Sequence, residues 1–181
     1  MENKTIVVNL FAGPGAGKST GAAYIFSKLK LIGINAELVT EFAKDLVWSK
    51  SLDVFNNQIH VYGEQSFRIS RLDKQVKVII TDSPLLMSSC YCSKDVAYYN
   101  EFCDMVAKDF NQYNNINYFI KRVKKYNPNG RMQDEDGAKI KDAEIQAHMK
   151  RYGVDYKIIE GCQDGYDKIF EEVMSIIEDK N

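Results

Sequence analysis

The sequence lacks any run of 18 apolar residues, which argues against a transmembrane helix. It also lacks an excess of either charge. The formal net charge is -1, so no global basic field favours nucleic acid or an anionic membrane surface. Metal-knuckle spacing is missing: the cysteines are Cys90, Cys92, Cys103 and Cys162, and neither a CxxC nor an HxxxH pair accompanies them. These thiols read as reduced packing residues, which points to the cytoplasm. The polar start, Met1 to Lys4, and the apolar stretch that runs straight into glycines do not describe a signal peptide. Repeats, low-complexity segments and linkers are absent too, so residues 1–181 read as one domain around one core.

What is present is an alternation. Thr5 to Phe11 is a short apolar, β-branched run, the mark of a buried strand. Lys18 to Leu31 carries Ala22, Ala23, Ile25, Phe26 and Leu29 at helical spacing, and Gly33 marks the exit. Strands are expected at Ala36 to Thr40, Val76 to Thr81, Ile116 to Ile120 and Val154 to Ile159. Helices are expected at Glu41 to Trp48, about Val54 to Leu72, Asp95 to Phe110, Ala138 to Tyr152 and Tyr166 to Ile177. Strand and helix alternate five times, which predicts an α/β fold: a five-stranded parallel sheet with helices on both faces and ligands at the carboxyl ends of the strands.

Between the first strand and the first helix lies Ala12-Gly13-Pro14-Gly15-Ala16-Gly17-Lys18-Ser19-Thr20, a Walker A pattern with Ala in the first position. Glycines let a phosphate approach the backbone closely and free φ, so that consecutive N–H groups can face an anion at a helix N-terminus. In this pattern Lys18 reaches the β- and γ-phosphates and the Ser19 hydroxyl coordinates Mg²⁺. A plain glycine turn is the competing explanation, but the pattern sits in the strand–loop–helix context that the motif demands.

Three further positions fall at the same sheet edge. Asp82 ends the third predicted strand and is placed to hold Mg²⁺ or to accept a substrate proton. Asp82-Ser83-Pro84 also describes a helix start. Glu41 ends the second strand and could bind a substrate hydroxyl or act as general base. The alternative is a favourable charge in a first helical turn, and Asp45, one turn on, could serve instead. After the fourth strand comes a basic, turn-rich segment with Lys121, Arg122, Lys124, Lys125 and Arg131 around Asn127-Pro128-Asn129-Gly130. It reads as a lid over about 121–137, with Arg131 meeting the charge on a transferring phosphoryl, or else as a solvated loop. Gln58, Tyr62, Gln65 and Arg68 share one helical face, as an acceptor pocket or as the polar side of an amphipathic helix. His60 and His148 read as surface or satisfied residues, and Tyr98, Tyr99, Phe102 and Phe110 as core or interface.

These motifs (GPGAGKST, the EFAKD segment from Glu41, TDSP at Asp82 and PNGR ending at Arg131) resemble P-loop kinases acting on nucleosides or nucleotides. The likeness extends to the ribosylnicotinamide kinase domain of the bacterial NAD regulator and to small phage ATPase/kinase-like proteins. It implies a P-loop NTPase fold of the nucleoside-monophosphate-kinase type, with ATP as donor and Mg²⁺ as cofactor. Residues 13 to 20 (Gly13, Pro14, Gly15, Ala16, Gly17, Lys18, Ser19, Thr20) fall in the donor site, Ser19 and Asp82 at the metal, and Lys18, Glu41, Asp82 and Arg131 at the chemistry. Ser83 stands where thymidylate and deoxynucleoside kinases usually carry Arg. The expected activity is transfer of the γ-phosphoryl group to a nucleoside-like small molecule, with no membrane partner, nucleic acid disfavoured by the near-neutral charge and a homo-oligomer left open. A nucleotide-driven switch without an acceptor is the rival, but neither an N-K-x-D guanine motif nor a DE pair after the third strand is present.

Overall fold

The computed structural model describes residues 4–123 and 134–179. Among them, five strands form one parallel sheet in the order β2-β3-β1-β4-β5. These are β1 (Ile6–Phe11), β2 (Ala36–Val39), β3 (Val78–Thr81), β4 (Asn114–Lys121) and β5 (Lys157–Glu160). The helices are α1 (Lys18–Leu31), α2 (Phe42–Trp48), α3 (Leu52–Phe55), α4 (Gln58–Ser70), α5 (Met87–Tyr91), α6 (Tyr99–Phe110), α7 (Glu135–Arg151) and α8 (Gln163–Glu178).

β1 is buried throughout because helices cover both its faces and strands flank both its edges, which explains why it is apolar at every position but Asn9. Its register sets Asn9 against Thr81 of β3 and Phe11 against Phe119 of β4. The carboxyl ends of β1 and β3 therefore lie side by side, and β2 ends next to β3, with Val39 opposite Thr81. One core joins Val8, Leu10, Ile25, Leu29, Ile80, Val106, Ile145 and Ile169, so sheet and helices pack as one body. None of the helices among the described residues is long and apolar enough to cross a membrane.

Several boundaries differ from the sequence expectation. β3 begins at Val78 rather than Val76, because Thr5 Oγ1 captures the Val76 carbonyl and the Lys77 N–H turns to Asn35 O. The long helix expected from Val54 breaks into α3 and α4, where the Asn57 side chain caps His60 N. α7 starts at Glu135 rather than Ala138, since Asp134 caps Gly137 N. β5 is confined to Lys157–Glu160 because Val154 closes the α7 tail through Met149 O.

Candidate active site

Residues Ala12 to Gly17 form the turn between β1 and α1, and two glycines hold it in conformations that side chains disfavour: Gly15 at φ 79 and Gly17 at φ 103. Gly13 has a different reason to be glycine. A Cβ there would lie 2.7 Å from the Ala138 carbonyl of α7. The far side of the turn is held by Tyr166 of α8, whose hydroxyl donates to Gly17 O at 3.0 Å. The ring fills the space where a side chain at Gly21 would stand. The loop is thus gripped from two helices, which fixes its backbone before any ligand arrives.

Lys18 opens α1 and folds back over the loop, donating from Nζ to Ala12 O at 2.7 Å and Gly13 O at 3.2 Å. Burial pushes its ammonium below the usual lysine value, against the opposing pull of Glu41, Asp82 and Asp142. Ser19 and Thr20 follow in the exposed first turn.

Glu41 sits at the N-terminus of α2 but does not cap it with its side chain. The first N–H of that helix, Phe42 N, is taken instead by Gln65 Oε1 from α4 at 3.1 Å. The carboxyl of Glu41 is left within electrostatic reach of Lys18 and Asp82, and burial raises its pKa above the ordinary glutamate value. Asp45 points elsewhere: it is 62% exposed and pairs with Arg68 at 3.3 Å, so it does not stand in for Glu41.

Asp82 follows β3 directly, 3% exposed, and its Oδ1 is buried without a hydrogen-bond partner. It does not cap a helix, since α5 begins five residues later at Met87. Sequence spacing thus brings Lys18, Glu41 and Asp82 from three strand ends into one electrostatic neighbourhood. Arg131 lies outside the described residues, as does most of the expected lid.

The face of α4 divides. Tyr62 donates to Asp109 of α6 at 2.6 Å, Arg68 turns to Asp45, and Gln58 and Gln65 are buried. Gln65 meets the α2 terminus beside Glu41, and Arg68 stacks over the Phe42 ring there at 5.0 Å. His148 of α7 is satisfied, 2.7 Å from Ser89 Oγ of α5. Because that hydroxyl donates to Leu86 O, His148 is the donor and is neutral; burial lowers its pKa to about 4. His60 packs edge-on against Phe42.

Two further residues meet the loop, Asp142, which was not foreseen, and Arg122, expected only as one of the basic segment's residues. Asp142 of α7 accepts the Gly13 N–H at 2.6 Å, and Arg122, just past β4, bridges Asp142 and Pro14 O. Asp142 carries no motif; the only available hint was a capped, charged helix following the basic segment.

No protein-family model matches the chain, and no curated protein matches it in sequence. Solved structures do. A NadR protein in complex with NR superposes with TM-score 0.66 at 13% identity, covering 92% of this chain and 51% of its own. The chain therefore spans about half the length of that protein. Deoxyadenosine kinase from M. mycoides with bound dATP superposes with TM-score 0.59 at 18% identity, covering 95% of this chain and 99% of its own. At such identities the likeness speaks for architecture, and that architecture is the parallel-sheet fold of the P-loop kinases.

Proposed function

We propose that the chain is an ATP-dependent small-molecule kinase that transfers the γ-phosphoryl group to a hydroxyl or phosphate of a nucleoside-like acceptor. One observation carries this reading. A lysine from the glycine loop and two carboxyls from neighbouring strand ends converge, and one of those carboxyls, Asp82, keeps a buried oxygen without a partner. Such an oxygen costs on the order of 1–3 kcal/mol unless a donor or cation meets it, so its retention fits a liganded role.

The residues fit Mg²⁺. Asp82 and Ser19 would hold it, the rest of the coordination coming from phosphate oxygens and water, since no cluster of three acidic, histidine or cysteine ligands exists among the described residues. When bound, the ion neutralises charge on the β- and γ-phosphates. The protein's own part is positional. The amides after Gly13 and the Lys18 ammonium orient the polyphosphate. Glu41, made more basic than an ordinary glutamate by burial, is suited to take the proton of an acceptor hydroxyl. Arg131 from the basic segment would meet developing charge during transfer.

The nucleoside acceptor is favoured by what the structural neighbours were solved with, NR and dATP. Incubation with Mg·ATP and a panel of nucleosides, nucleoside monophosphates and nicotinamide riboside tests the reading. Acceptor-dependent ADP release is expected. Phosphate release without any acceptor dependence would transfer support to a nucleotide-driven switch.

A further inference from the structure

The sheet ends in two edge strands, β5 on one side and β2 on the other. β5 is guarded: Lys157 and Glu160 stand exposed at its two ends, and charge on an edge discourages pairing with another chain. β2 has no lysine or proline, and Glu37 is its one charge. A cleft of about 310 Å³ runs alongside it, bordered by Leu38 to Thr40 on one side and by Phe67, Arg68 and Arg71 of α4 on the other.

The backbone of β2 is turned towards this cleft. Asn35 O accepts from Lys77 N and Val78 N, so Asn35 faces β3. Backbone groups alternate sides along a strand, which directs those of Ala36, Leu38 and Thr40 away from β3. Thr40 O meets Arg68 Nη1 at 3.5 Å, on the side that this alternation requires. Among the described residues no strand lies beyond β2. The N–H and C=O of Leu38 therefore offer a pairing edge. From Ala36 to Thr40 that edge runs about 13 Å, room for about four extended residues.

The helical wall sets the chemistry of what fits. Phe67 is 63% exposed, a bare ring beside the strand edge. Arg71, one turn on, is exposed and makes no ion pair with the described residues. Arg68 pairs at 3.3 Å with Asp45, which is itself 62% exposed. Glu64 is the one carboxylate lining the cleft, against two guanidiniums. An apolar side chain and a carboxylate, spaced along an extended backbone, complement that order.

We propose that the cleft between β2 and α4 docks an extended, acidic peptide segment of a partner protein, added to the sheet as a sixth strand beside β2. Main-chain hydrogen bonds to Leu38 supply register, the Phe67 ring takes an apolar side chain, and Arg71 takes a carboxylate. This goes beyond the kinase reading and does not rest on it, since the cleft lies on the outer side of β2 and the glycine loop follows β1.

The probe is a phage-displayed library of random decapeptides selected on the full chain, followed by fluorescence anisotropy with the enriched peptide. The expected peptide alternates apolar residues over about four positions and carries Asp or Glu at one end. Phe67→Ala and Arg71→Glu each raise its dissociation constant about tenfold, the size of one buried ring contact or one charge-assisted bond. Replacing the peptide's acid by Lys restores affinity for Arg71→Glu. N-methylation along the peptide weakens binding about tenfold at every second residue only, a period of two that charge attraction alone does not produce. No enriched peptide, unchanged affinity in both variants, or a uniform response to N-methylation overturns the proposal. So does a wild-type dimer in sedimentation that Arg71→Glu converts to monomer, because the edge would then belong to a second copy. Thermal unfolding checks that the variants fold, and the N-methyl series, which uses the unaltered chain, decides the matter if they do not.

Discussion

The two ends of the sheet are both polar, yet they handle polarity in opposite ways. At the amino ends of β4 and β5 lies a cleft of about 690 Å³ bordered by Asn111, Asn114, Asn115, Asn117 and Tyr156. There the amides answer one another. Asn9 donates to Asn115 and Asn117, whose own NH₂ groups reach Phe110 O and Asp155 O. At the carboxyl ends sit opposed charges, a lysine and a glutamate both shifted against their ordinary values, and three polar atoms, on Gln65, Asp82 and Arg122, that are buried with no partner among the described residues. Unanswered polarity marks the carboxyl end. A satisfied amide network stabilises one conformation, whereas unmet donors and acceptors store an interaction for something outside the chain.

That contrast can be broken at either end. The largest effect expected is at the carboxyl end: Glu41→Gln lowers kcat/KM for the acceptor about 10³-fold with nucleotide affinity little changed. In the unmodified protein the acid limb of kcat/KM should lie above the ordinary glutamate pKa of 4.5, because the buried carboxyl must deprotonate to act. A limb at or below 4.5 would remove Glu41 from the role of base. Next, Lys18→Ala should weaken Mg·ATP binding about 100-fold while leaving the unfolding midpoint nearly unchanged; ordinary affinity would return the glycine loop to a structural turn.

At the other end the signs reverse. Asn9→Leu strands the Asn115 and Asn117 oxygens and should cost about 2 kcal/mol of stability in urea titration, with nucleotide affinity unchanged. A loss of affinity without loss of stability would show that the two ends are not separate. The smallest effect concerns His148, in the last turn of α7. Its folded pKa of about 4 is below the ordinary histidine value of 6.5, so the unfolded chain binds more protons between those values. Its contribution is therefore fully present above pH 6.5 and is lost as pH falls towards 4, on the order of 1–2 kcal/mol after discounting for partial exposure. His148→Gln should flatten that acid slope; an unaltered slope assigns it to other groups.

The sequence made the sheet legible because buried parallel strands are continuous apolar runs, and Ile6–Phe11 and Val78–Thr81 have no other reading. The glycine loop was legible because its chemistry is local: a dozen consecutive residues contain the turn, the lysine and the helix start. Asp82 could be placed by rule at the end of the strand beside the first, and Glu41 at the end of the strand one further out. Asp142 could not, since it meets Gly13 across 129 positions and nothing in its neighbourhood marks it. Gln65 was seen as one member of a polar face, yet its bond to Phe42 N depends on how α4 lies against α2, which periodicity does not encode. Asp134 is the opposite case. An acid three residues ahead of the glycine it caps is a local signal, and the apolar spacing further on outweighed it.

The grip of Tyr166 on the glycine loop has a consequence for synthesis. The carbonyl of Gly17 waits for a hydroxyl that lies 149 positions downstream. While a ribosome is still translating α7, residues 12 to 20 have emerged but lack the side chain that braces them, so a nascent chain should hold nucleotide poorly until α8 clears the exit tunnel.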